Sequence, residues 1–244
     1  MKSLFSLLIC LISISILTAQ SENEMMKKTD SADTLNLVES NNMACCSGCK
    51  YKPLLTAGGR YYFNTLENTR NTLAANGFIL EQEAVEYFIS FGKLPKLYYF
   101  QQLGDLRGGN YASVTGFGLK KDFGYNIFKN SDFILRPYAE IGAGYFRMNI
   151  AKNVTGNSIS TVLNSTVENY FLDNFVFTGD VGLSLGYGFK VDNSKVNIMV
   201  NGGFTGNIPT EWKLAQSLAF REKIQLGSPY AGATIRLDLC DCCK

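Results

Sequence analysis

Residues 175–191 read FVFTGDVGLSLGYGFKV. The odd positions run Phe175, Phe177, Gly179, Val181, Leu183, Leu185, Tyr187 and Phe189, and the even positions include Thr178, Asp180, Gly182, Ser184, Gly186, Gly188 and Lys190. Successive side chains of a strand point to opposite faces, so period two held over this length describes one long strand with an apolar face and a small or polar one. A strand in a soluble sandwich spans about five or six residues. The greater length suits a tilted membrane strand, with the apolar side chains in lipid and the small polar ones in a lumen.

The same alternation recurs. Residues 133–146 put Phe133, Leu135, Ala139, Ile141, Ala143 and Tyr145 on one face, and Arg136, Tyr138, Glu140, Gly142 and Gly144 on the other. Residues 230–239 set Ala231, Ala233, Ile235, Leu237 and Leu239 against Tyr230, Gly232, Thr234, Arg236 and Asp238. Charges on the second face are expensive in lipid and natural inside a barrel.

Short polar links divide the chain into eight expected strands, 53–64, 83–92, 95–105, 110–126, 131–149, 171–190, 194–207 and 227–240. Tight links fall at 92–95, 127–130 and 192–194, and long ones at 65–82, 150–170 and 208–226. Only the short link at 105–110 interrupts the alternation of short with long. The fold class is all-β: an eight-stranded antiparallel up-and-down transmembrane β-barrel over residues 51–244, its tight turns on the side of both termini.

In strand period, strand number and glycine-aromatic content, residues 50–240 resemble the small eight-stranded outer-membrane barrels of Gram-negative bacteria, the class typified by the transmembrane domain of outer membrane protein A. The resemblance implies a place in the bacterial outer membrane, with short turns in the periplasm, long loops outside, and outer-membrane lipid and lipopolysaccharide as surroundings. Such barrels commonly end in an aromatic residue. This chain departs from that pattern, closing its last strand at Leu239 and adding CDCCK.

Residues 1–19 carry Lys2, the run LFSLLICLISISIL and a small-residue end before Gln20, which is the pattern of a secretory signal peptide cleaved after Ala19. Cys10 leaves with it. Residues 20–50 are polar and without sustained period until the first cysteine cluster, as expected of a disordered periplasmic leader. Triplets at 30–35 look like acidic-hydroxyl-small O-glycosylation sites, and Asn153 and Asn164 match an N-glycan pattern that carries little weight in a bacterial barrel. The formal net charge of +2 gives no reason to expect a nucleic-acid partner.

Six cysteines follow the signal segment, Cys45, Cys46 and Cys49 before the first strand and Cys240, Cys242 and Cys243 at the end of the last. In a closed barrel the first strand pairs with the last, because an open edge in lipid leaves backbone groups unsatisfied. The two clusters therefore meet at the periplasmic rim. One reading is a disulfide staple across the seam, the default for an even number in an exported chain. In the chain-entropy model, closing a loop of about 190 residues removes denatured-state freedom equivalent to about 5 kcal/mol. Cysteines adjacent in sequence seldom pair without strain, so cross-cluster bonds are favoured. A second reading is a zinc or cuprous-copper site, since Cys46 and Cys49 have zinc-knuckle spacing and Cys240 and Cys242 form a second jaw. The third is a mixed disulfide or thiol exchange with a partner protein.

No histidine occurs anywhere, which excludes Ser-His-Asp and Cys-His catalysis, and no other catalytic constellation is recognisable. The chain is read as non-enzymatic and as needing no cofactor. Arg60, Glu86, Lys120, Asp122, Arg136, Glu140, Asp180, Lys190, Arg236 and Asp238 fall on the lumen face. With both signs present they are expected to fill the barrel as salt bridges, the alternative being a small or gated pore. In the outer loops, 65–76 and 209–223 have helical spacing, with Gly77 as a C-cap and Thr210 as an N-cap. The second carries Trp212, which is either folded over the barrel mouth or part of an exposed ridge that docks lipopolysaccharide or a protein.

Overall fold

The computed structural model describes residues 50–128, 131–152, 168–191, 194–214 and 218–241. The signal segment, the leader and Cys45, Cys46, Cys49, Cys242 and Cys243 lie outside them. The elements are β1 (Lys50–Tyr62), α1 (Glu67–Ala75), β2 (Ala84–Phe91), β3 (Lys96–Gln102), β4 (Tyr111–Gly124), β5 (Phe133–Lys152), β6 (Glu168–Val191), β7 (Ser194–Asn207), β8 (Thr210–Leu214), β9 (Leu218–Ile224) and β10 (Ser228–Asp241).

Eight of the strands form a ring. Each strand from β1 to β6 pairs antiparallel with the next, β7 pairs with β10, and β10 closes on β1. All eight expected membrane strands are present. Their ends move by a few residues, most visibly at β5, which continues to Lys152, and at β6, which begins at Glu168.

Closure shows in the register. From Gly59 on β1, cross-strand partners run through Tyr87, Tyr99, Phe117 and Tyr145 to Phe175 on β6. In the other direction they run from Gly59 through Ala233 and Val200 to Leu185, ten residues further along the same strand. That offset is the stagger that tilted strands must accumulate when a sheet closes on itself.

The alternation read from the sequence separates the two faces. Along β6, Val176, Thr178, Asp180 and Ser184 are buried, whereas Phe175, Phe177, Val181, Leu183, Leu185, Tyr187 and Phe189 are exposed, Val181 at 60%. Leu97 and Tyr99 on β3, Leu119 on β4, Ile141 on β5, Ile198 and Val200 on β7, and Ile235 on β10 continue this outward apolar surface round the ring. Tyr87, Tyr99, Phe117 and Phe175 are exposed aromatic members of one unbroken register row on this outward surface. Phe128 and Phe133 pack at 5.7 Å, and Tyr187 and Phe189 at 5.0 Å, at the end with the tight turns.

At the opposite end the wall rises past the ring and is capped. α1 lies within the expected 65–76 segment. Gly77 at φ +81° ends it, with the Gly77 and Phe78 amides bonding to the Ala74 and Leu73 carbonyls and with Leu73 and Phe78 both buried, a Schellman stop. The helix expected over 209–223 is instead the hairpin β8–β9. Glu211 and Lys213 alternate with Trp212 and Leu214, a two-residue period, and β6 extends beyond the end of β7. The exposed edge of β6 takes β8 as its partner at Leu172 and Asp173.

Replacing Val181, in the middle of the lipid face, with Arg should weaken folding into a bilayer by about 2–4 kcal/mol. Urea titration of vesicle-folded protein, read by the heat-modifiable gel shift, measures this. An unchanged midpoint would contradict the lipid-facing assignment.

Candidate functional site

Gly, Ser, Thr and Tyr on the inward positions leave room at mid-barrel for charged side chains to meet. Arg60 from β1 occupies the centre, 3% exposed. Its Nη1 donates to Asp180 at 3.0 Å and to Glu86 at 3.4 Å, and its Nη2 donates to Glu140 at 2.7 Å. Lys120 Nζ from β4 reaches Glu86 at 2.6 Å and Asp180 at 2.9 Å. The Tyr62 hydroxyl donates to Glu86 at 2.9 Å, and the Thr205 hydroxyl donates to Asp180. Lys96 from β3 bonds Asp122 at 2.7 Å and also contacts Glu140, while Arg136 from β5 pairs with Asp122.

Four cations, Arg60, Lys96, Lys120 and Arg136, thus face four carboxylates, Glu86, Asp122, Glu140 and Asp180. Charges taken out of water need such pairing, because an isolated one costs several kcal/mol. Aromatic faces supply part of the remaining solvation. Arg60 lies 4.8 Å from the Tyr230 ring and 5.2 Å from that of Phe88, and Lys120 lies 4.7 Å from Tyr98. The tyrosines fit because glycines on facing strands give them room. A Cβ on Gly144 would run into the Tyr98 hydroxyl, and one on Gly182 into that of Tyr138. Tyr138 and Tyr230 share a hydrogen bond of 2.7 Å.

The sequence-derived lumen set divides into two groups. Arg60, Glu86, Lys120, Asp122, Arg136, Glu140 and Asp180 join the lattice. Arg236 and Asp238 form a separate pair at 2.9 Å, with Asn197 donating to Asp238 at 2.7 Å. Lys190 joins neither group and is exposed near the turn end of β6. Sequence reading passed over Lys96, although it shares the inward parity of Tyr98 and Phe100, and of the tyrosines it placed Tyr138 and Tyr230 on the lumen face but not Tyr62 and Tyr98.

The lattice is covered on the loop side by apolar side chains. Phe100, Val114, Phe146 and Val176 from the strands meet Leu66, Leu73 and Phe78 from the α1 region, and Trp212, Ile224 and Leu226 from the hairpin. Trp212 is 1% exposed, and its Nε1 lies 3.5 Å from Thr69 Oγ1. The exposed-ridge reading of Trp212 is therefore corrected: the ring is packing in the barrel mouth. On the turn side the lattice borders a cavity of about 360 Å³ that reaches Lys93 and Leu94 in the β2–β3 turn.

The start of β1 and the end of β10 meet at that same side. The β1–β10 register sets Lys50 opposite Asp241, Tyr51 opposite Cys240 and Lys52 opposite Leu239. Cys49 directly precedes Lys50 in the chain and Cys242 directly follows Asp241. The bonding state of the six cysteines lies outside the described residues.

A closed antiparallel ring, with an apolar band round its outer surface and charge-paired within, defines a small eight-stranded transmembrane β-barrel. No protein family and no curated protein matches the sequence. Among solved structures it is similar to Neisserial surface protein A, with 8% identity, 79% of this chain and 98% of that one covered, and a TM-score of 0.34. It is also similar to the N-terminal β-barrel domain of Pseudomonas aeruginosa OprF, with 14% identity, 79% and 100% covered, and a TM-score of 0.27.

Changing Arg60 to Met leaves three buried carboxylates short of a partner and should cost about 3–5 kcal/mol. Pairing it with Glu140→Gln should recover part of that loss, because one orphaned charge is removed with it. The urea midpoints of the single and double variants test the coupling, and additive losses would contradict a shared lattice.

Proposed function

We propose that this chain is an exported, non-enzymatic barrel of the bacterial outer membrane with a structural or protein-interaction role, acting through the rim at which its two ends converge. The observation that carries the reading is the β1–β10 seam, which brings the backbone next to Cys49 to the backbone of Cys240 and its neighbours. The two clusters flank this seam in sequence and can staple it, disulfides being the default for exported cysteines. Zinc or copper held by the same thiolates, or a mixed disulfide to a partner, would use the same convergence. Outer-membrane lipid and lipopolysaccharide are the expected surroundings of the apolar band. The lumen lattice stands as internal filling, with its charges matched among themselves.

A second reading is a small pore or an uptake accessory for a small solute or a soft metal ion. The turn-side cavity favours it. The apolar layer around Phe100, Phe146 and Trp212 counts against a through-path.

Intact mass of the detergent-purified protein, alkylated before and after reduction and followed by peptide mapping, separates the cysteine readings. The expected result is six blocked thiols, with at least one of Cys45, Cys46 and Cys49 joined to one of Cys240, Cys242 and Cys243. Six free thiols would overturn the staple. In planar bilayers the same protein should show no steady channel openings, and discrete, reproducible conductance steps would move the reading to transport.

A further inference from the structure

The turn-side cavity is not charge-matched at its mouth. At its inner end Arg60 and Glu140 belong to the balanced lattice. Towards the opening, Lys96 is shared between Asp122 and Glu140, Arg136 pairs with Asp122, and Asp238 serves Arg236, so these cations are already matched. Lys93 and Lys121 then add two further cations to the lining, neither in an ion pair with a described carboxylate. Lys121 Nζ donates to the Lys93 carbonyl, which ties its charge to the rim. The side chains of Lys96, Arg136 and Arg236 keep 12%, 18% and 31% of their surface exposed, so they are reachable from the cavity and not sealed in their pairs.

We propose that this vestibule is a binding site for a small phosphate oxyanion entering from the turn side. Guanidinium groups present planar forks of N–H donors that match phosphate oxygens, and ammonium groups add point charge. Low-dielectric walls concentrate the field of like-signed groups, so the same cations attract an anion more strongly here than on an open surface. A volume of about 360 Å³ admits inorganic phosphate or the phosphate ester of a small polyol. Because the inner end is closed by the lattice and the apolar layer, the site captures its anion and returns it to the same compartment. The phosphate can belong to a free solute or to the headgroup of a lipid at the rim.

Calorimetric titration of the full-length protein in nanodiscs of zwitterionic lipid, at constant ionic strength, tests the site. The probes are inorganic phosphate, glycerol phosphate and a short-chain phosphatidylglycerol. Saturable binding of either soluble probe identifies a free-solute site, and saturable binding of the lipid alone identifies a headgroup site. In both cases Lys93→Gln should weaken binding about tenfold, the loss expected from one charge-assisted contact. Arg236→Gln should do the same, while Lys223→Gln on the outer hairpin should leave binding unchanged. Lys93 lies in an exposed turn, so its variant remains decisive if the Arg236 variant does not fold. Heats no larger than those of chloride at the same ionic strength, or binding that survives Lys93→Gln intact, would overturn the proposal.

Discussion

In hydrocarbon a backbone amide or carbonyl has no water to turn to, and every strand that crosses lipid needs a partner on each side. This requirement determines most of what is seen here. It makes β1 and β10 neighbours although almost the whole chain separates them, and it fixes the stagger that meets β6 at Phe175 from one side and at Leu185 from the other. Where β6 outruns β7, the same requirement recruits β8 as an extra partner for its edge.

Closing an eight-stranded sheet leaves an interior that side chains can just fill. The chain fills it with two kinds of material. Towards the loops it uses apolar packing of the sort found in a soluble core, and at mid-barrel it uses a neutral set of ions with tyrosines wedged over glycines. A buried ion pair is weak evidence for stability, since well-packed apolar groups often serve as well. What the lattice adds is specificity of register. Arg60 must meet Glu86, Glu140 and Asp180 from three different strands, and a strand slipped by one residue would turn its carboxylate out into lipid.

The strands were legible because period two over a long run has few other causes, and charges such as Asp180 and Glu140 inside that period marked the lumen. α1 was legible through its helical spacing and through Gly77. The hairpin was misread because Trp212, Leu214 and Leu218 fit a two-residue period while Leu214 and Leu218 also have helical spacing, and the deciding factor, an unpaired stretch of β6, is a tertiary fact. Lys96 lay inside the expected strand 95–105 with the inward parity of Tyr98, and it was passed over beside the turn residue Pro95. Nothing in the residue order could show which acids each cation would share, since that depends on the stagger of the closed ring.

The layering of the lumen gives it a sidedness. Water and protons can approach the ions around Asp122 through the turn-side cavity, whereas the layer around Trp212 and Phe146 separates them from the opposite face. Among the described residues, small ions and solutes therefore meet the lattice from the turn side, while the loop side presents it with an apolar layer.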